Sequence, residues 1–70
     1  MTIEQVNQAM MNGQLVRHTH MGISVKYRLT GVITRYSKEK GWTYSLELQD
    51  LKSSCIVIAS MEDCEVIKDG

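Results

Sequence analysis

This sequence predicts a mainly β protein, a short N-terminal α-helix followed by a small, partly open β-barrel. Three observations point there. After residue 13 the apolar residues alternate with polar ones instead of recurring at helical spacing. The alternating runs are short and end in tight-turn signals such as "MG" and "DLKS". No second helical stripe follows the first, which leaves the strands to close on one another.

The opening, "MTIEQVNQAMMNGQ", reads as the helix. Thr2 with Gln5 three residues later fits a capping box, and Ile3, Val6 and Met10 fall on one apolar stripe. Gly13 can take the left-handed conformation that closes a helix. About three turns do not hold alone in water, so the stripe is expected to dock as a lid on one end of the barrel.

"QLVRHTH" is the first strand, turned by Met21-Gly22. In the second, Ile23, Val25, Tyr27, Leu29 and Ile33 share one parity, with Ser24, Lys26, Arg28, Thr30 and Thr34 on the other. Gly31 falls on the inward side, where a missing side chain lets a strand bend across a small core. "WTYSLELQ" is the third strand, with Trp42, Tyr44, Leu46 and Leu48 alternating with Thr43, Ser45, Glu47 and Gln49. "DLKS" turns the chain into a fourth, "SCIVIAS". "MED" reads as one helical turn before a last strand, "CEVIK".

The 70 residues make one domain, with 1–13 as the capping helix and 14–70 as the small barrel. A chain this short is expected to commit almost every Leu, Ile and Val to its core, leaving little for a catalytic cleft. The formal net charge is zero, but the charges are segregated. Residues 17–40 carry Arg17, Lys26, Arg28, Arg35, Lys38 and Lys40 against Glu39 alone, a balance of +5. Residues 41–70 carry Lys52 and Lys68 against Glu47, Asp50, Glu62, Asp63, Glu65 and Asp69, a balance of −4. No apolar run reaches the ~20 residues that cross a bilayer, and the N-terminus lacks a basic-then-apolar signal pattern. A cytoplasmic protein with no membrane partner is expected.

The stretch "TRYSKEKGWTY" gathers the tryptophan, two of the three tyrosines and three basic residues. Its function turns on register. Pairing Ser37 with Trp42 around a four-residue loop, Lys38 to Gly41, sets Ile33 against Leu46, Gly31 against Leu48 and Thr34 against Ser45. Pairing Tyr36 with Trp42 makes an exposed aromatic pair but sets Ile33 against Ser45 and Val32 against Leu46, which breaks the alternation in one strand or demands a bulge. Aliphatic burial at ~1.5–3 kcal/mol per side chain outweighs a surface aromatic pair at ~1 kcal/mol, so the first register is expected. It puts Trp42 and Tyr44 on the inner side at the barrel mouth near Arg35, with Tyr36 pointing the other way. The Lys38-Glu39-Lys40 tip is free for a partner in either register.

Motifs for chemistry are sparse. His18 and His20 share a side of one strand, and with Cys55 and Cys64 they supply four ligand types, but the spacing matches no zinc pattern. With Ile56 and Ile58 inward, Cys55 faces out, and Cys64 faces in beside Val66. No metal or cofactor is expected. Neither a glycine-rich phosphate loop nor a nucleophile motif is present, and no enzyme is expected. Met10, Met11, Met21 and Met61 read as gap fillers between helix and barrel or as an adaptable surface. Lys26 and Arg28 share the outward face of the second strand and give the best nucleic-acid signal.

The stretch "RLTGVITRYSKEKGWTYSLELQDLKSSCIVIASMEDCEVI" resembles an SH3-like barrel of five strands. It has a bent second strand, a distal hairpin, two further strands, a helical turn and a last strand. With the leading "TIEQVNQAMMNGQLV", the chain resembles small uncharacterised bacterial proteins carried on mobile elements or prophages. That resemblance implies a helix-plus-barrel fold and an accessory role, and it carries over no catalytic residue. The tyrosine motif of peptide-binding SH3 domains is missing, and "RHTHMGIS" is basic where such domains are acidic. The expected function is a non-enzymatic binding module acting on a protein partner or as a homo-oligomer. Nucleic-acid binding is the alternative. Arg17, Lys26, Arg28, Arg35, Tyr36, Lys38, Lys40 and Trp42 are the candidate contact residues for either.

Overall fold

A computed structural model describes residues 1–67. The helix α1 (Ile3–Asn12) begins as its sequence requires. The Gln5 N–H donates to Thr2 Oγ1 at 3.2 Å, and the Thr2 N–H donates back to Gln5 Oε1 at 2.9 Å. Gly13, at φ 65°, ends it by turning its N–H onto the carbonyls of Ala9 and Met10. Val6 and Ala9 are the residues it buries, and Met10 packs beside them. The Met1 amino group donates to the Met61 carbonyl at 3.3 Å, which ties the chain's start to the far end of the sheet.

Five strands follow: β1 (Leu15–His20), β2 (Ile23–Ser37), β3 (Gly41–Asp50), β4 (Ile56–Ser60) and β5 (Cys64–Val66). They form one antiparallel sheet in the order β4-β3-β2-β1-β5. The sheet is open, with β4 and β5 as its edges, so the expected barrel is not closed. "MED" is a 3-10 turn over Met61–Asp63, as its sequence suggests. The last strand ends at Val66, and Lys68 of the expected "CEVIK" strand lies outside the described residues. Met21 and Gly22 both have positive φ, 51° and 80°, the geometry of a two-residue hairpin turn. In the β3–β4 turn, Asp50 accepts the Lys52 N–H at 3.2 Å and the Ser53 hydroxyl at 3.0 Å. The Lys52 N–H, with the Ser53 hydroxyl second, holds the Asp50 carboxyl below the ordinary aspartate range.

The core consists of Val6, Ala9, Val16, Leu29, Leu46, Leu48, Ala59 and Cys64, with Tyr27, Val32, Val57, Val66 and Met61 packed against it. Near-complete burial of Leu, Ile and Val does not occur. Ile56 and Ile58, expected inward, oppose Gln49 and Glu47 on the outer face and are 49% and 52% exposed. Val57 and Ala59 take the inner positions opposite Leu48 and Leu46. Every residue from Cys55 to Ala59 is apolar, so alternation could not tell the two faces apart. Ile23 and Val25, at the β1–β2 hairpin end, are exposed too.

The β2–β3 register corrects the sequence reading. Ser37 pairs with Gly41, Tyr36 with Trp42, Ile33 with Ser45 and Val32 with Leu46. The ladder skips between Leu29 and Gly31, so Thr30 is an extra residue in a β-bulge. The bulge reverses the parity of β2 midway. Leu29 faces inward before it and Val32 after it, while Ile33 and Gly31 face outward. Thr30 steadies the bulge by donating its hydroxyl to the Glu47 carbonyl and carboxylate, at 3.1 and 2.9 Å. Val32, not Ile33, is the aliphatic partner of Leu46, so the burial argument pointed to the wrong register.

Candidate functional site: an aromatic, basic ribbon

The register creates a structural unit that an unbroken β2 would not. β4 stops at Ser60, opposite Ser45, and β1 begins at Leu15, opposite Arg28. Among the described residues, the chain from Thr34 to Tyr44 therefore pairs only with itself. The molecule measures 39 × 25 × 23 Å, an elongation suited to a fifteen-residue strand at ~3.3 Å per residue. Gly41, at φ 69°, supplies the left-handed residue after the three-residue loop Lys38-Glu39-Lys40. The Lys40 N–H donates to Ser37 Oγ at 3.0 Å inside that loop. A two-stranded ribbon is marginal in water, and the Tyr36–Trp42 pair staples this one. Their rings meet edge to face, with centroids 5.2 Å apart.

Pairing fixes what each face carries. Thr34, Tyr36, Trp42 and Tyr44 lie on the side continuous with Leu46, whereas Arg35 and Thr43 lie on the other. Tyr36 is therefore beside Trp42 instead of opposed to it, and the expected approach of Arg35 to the rings is replaced by the tyrosine. Trp42 is not tucked into a barrel mouth. It is 64% exposed and Tyr36 is 62% exposed. A cleft of about 370 Å3 runs beside the ribbon, lined by Trp42, Thr43, Tyr44, Ser45, Ser60, Met61 and Glu62. The unit thus combines apolar rings, a strand edge that no neighbour pairs, and a tip carrying Lys38 and Lys40.

The eight candidate contact residues separate into two groups. Arg35, Tyr36, Lys38, Lys40 and Trp42 belong to the ribbon. Arg17, Lys26 and Arg28 share the outer face of the sheet, where Arg17 sits opposite both Lys26 and Glu65. Arg17 bonds Glu65 at 3.0 Å, an exposed ion pair of the kind worth ~0–1 kcal/mol, so part of that positive patch is neutralised. Arg28 opposes Gln49, with exposed Ile56 beyond it on the same face. Tyr44 and Met61 also line the cleft, and neither is among the eight candidate contact residues. Gly41 is the signal for Tyr44, since a three-residue loop followed by a left-handed glycine specifies the observed register.

His18 and His20 share a face and stack at 6.2 Å, and Cys64 sits opposite His18 on β5. Cys55 is exposed beyond the start of β4, and both thiols are free. Among the described residues no three His, Cys, Asp or Glu side chains are grouped to hold a metal ion. Burial, reinforced by the Asp63 charge, pushes the Cys64 thiol above its ordinary range and keeps it protonated. No helix among the described residues is long and apolar enough to cross a membrane. No family model, curated protein or solved structure matches the chain.

Proposed function

We propose that this chain is a non-enzymatic accessory module that binds a protein partner, with the Thr34–Tyr44 ribbon as its principal contact surface. The observation that carries the reading is the exposure of Tyr36 and Trp42 together on a ribbon that, among the described residues, pairs with no further strand. Tyrosine and tryptophan dominate interface hot spots because they bury large area at small entropic cost. A protein this small leaves such rings in water at the expense of its own stability. Ile56 and Ile58 on the outer side of β4 offer a second apolar contact. The strand order, with a helical turn leading into a last strand beside β1, supports reading the sheet as an opened SH3-like barrel. Free cysteines suit a cytoplasmic setting, and the mobile-element association rests on the sequence resemblance.

The test is photo-crosslinking from position 36 in cells that express the protein natively, with Trp42→Ser as the control. The reading requires a discrete protein adduct that Trp42→Ser removes while circular dichroism stays unchanged. Equal crosslinking from the variant, or none from either protein, counts against it.

Arg17, Lys26 and Arg28 on one outer face favour nucleic acid as the second reading. It requires binding that weakens steeply with salt and is lost in Lys26→Glu. Glu65 and Glu47 on the same face oppose it.

A further inference from the structure

The ribbon's partner can be described chemically, on the footing that it is a protein-binding surface at all. We infer that the β3 edge over Gly41–Tyr44 takes an extended acidic peptide segment of the partner as an added antiparallel strand, in line with β4.

Three observations converge on this edge. The first is that β4 ends opposite Ser45, so the next four residues of β3 have no strand on that side. Alternate residues of an antiparallel strand turn N–H and C=O away from each neighbour, and among the described residues those of "GWTY" make no main-chain bond outside the β2–β3 pairing. Edge strands are usually guarded by a charge, a proline or a bulge, and this stretch has none. The opposite edge of the ribbon carries Arg35, and β5 at the sheet margin carries Glu65.

The second observation is the cleft along the same edge, with Trp42, Tyr44 and Met61 for apolar contact. An added strand gains affinity from main-chain hydrogen bonds and selectivity from alternate side chains that enter such a pocket. The third is charge. Arg35, Lys38 and Lys40 against Glu39 give the ribbon a balance of +2. A strand antiparallel to β3 runs from the Ser45 end toward the tip. Its first residues lie beside Glu62 and its last beside Lys40, so an apolar start and a carboxylate-bearing end are complementary. A second copy of the ribbon brings +2 onto +2 and is disfavoured. Nucleic acid leaves the strand edge unpaired and meets Glu62 in the cleft.

A random hexapeptide library displayed on phage and selected against the full chain tests this. Selected sequences should alternate β-branched or apolar residues and end in Asp or Glu. A synthetic peptide of that consensus should shift Trp42 fluorescence to the blue. N-methylation of its edge-facing amides should abolish binding, and methylation of the intervening amides should not. Lys38→Glu with Lys40→Glu, both on the exposed tip, should weaken it about tenfold. Enrichment of proline-rich or basic sequences, equal tolerance of both methylation series, or no enrichment would overturn the inference. Peptides displaced only by Ile58→Asp would remove this site while sparing the protein-binding reading. Fluorescence quenching by oligo-dT with no peptide enriched would remove both.

Discussion

Leu46 and Trp42 stand four residues apart on the same side of β3, yet Leu46 is wholly buried and Trp42 is 64% exposed. Strand parity gave them the same direction. What separates them is cover. Val6 and Ala9 of α1, Val16 of β1 and Ala59 of β4 join Leu46 in one cluster, whereas β4 and β1 both stop short of Trp42. Facing the core side of a sheet and being in the core are therefore different conditions. The second depends on neighbouring element lengths: the five residues of β4 flank β3 only over Ser45–Gln49, and the six of β1 flank β2 only over Ile23–Arg28.

This contrast sets the order of expected mutational effects. Leu46→Ala empties a site with no exposure and should cost about 2–5 kcal/mol in urea denaturation; a loss below 1 kcal/mol would mean the central cluster is not packed as described. Deleting Thr30 should cost about 1–2 kcal/mol, chiefly its two bonds to Glu47, and should leave the ribbon's pairing intact. Without that residue Leu29 still meets Leu48 and Val32 still meets Leu46, now in a regular ladder. A changed Tyr36 partner in the NMR spectrum of the deletion would show that the bulge lies elsewhere. Gly41→Ala places a side chain at φ 69° and should cost about 1 kcal/mol, with fraying seen first at the amides of Tyr36 and Trp42. Trp42→Ala should change global stability least, by about 1 kcal/mol or less, because it removes one exposed ring contact. If it unfolds the protein as Leu46→Ala does, the two regions are not distinct.

The caps of the helix are legible, since Thr2, Gln5 and Gly13 are local signals whose meaning does not depend on tertiary contacts, but Ala9, which it buries, lies outside the stripe of Ile3, Val6 and Met10. The Met21-Gly22 turn and the "MED" turn were legible for the same reason. The five strands were visible as alternation, but their facing was not wherever alternation breaks. Thr30 hid a parity change that no residue type announces, and continuity of Ile23, Val25, Tyr27, Leu29 and Ile33 then argued for the wrong partner of Leu46. The run from Cys55 to Ala59 carries no polar marker, so nothing in it shows that Ile56 and Ile58 face outward. Of the site, the basic tip and the aromatic content of "TRYSKEKGWTY" were readable. The exposure of Trp42 was not, because it follows from where β4 and β1 end.

Nuclear Overhauser contacts across the β2–β3 hairpin test the central claim most directly. The account requires ring-to-ring contacts between Tyr36 and Trp42, backbone contacts between Thr34 and Tyr44, and Val32 methyls near Leu46. Contacts pairing Ser37 with Trp42 and Ile33 with Leu46 would contradict it, returning Trp42 to the opposite face from Tyr36 and dissolving the aromatic surface.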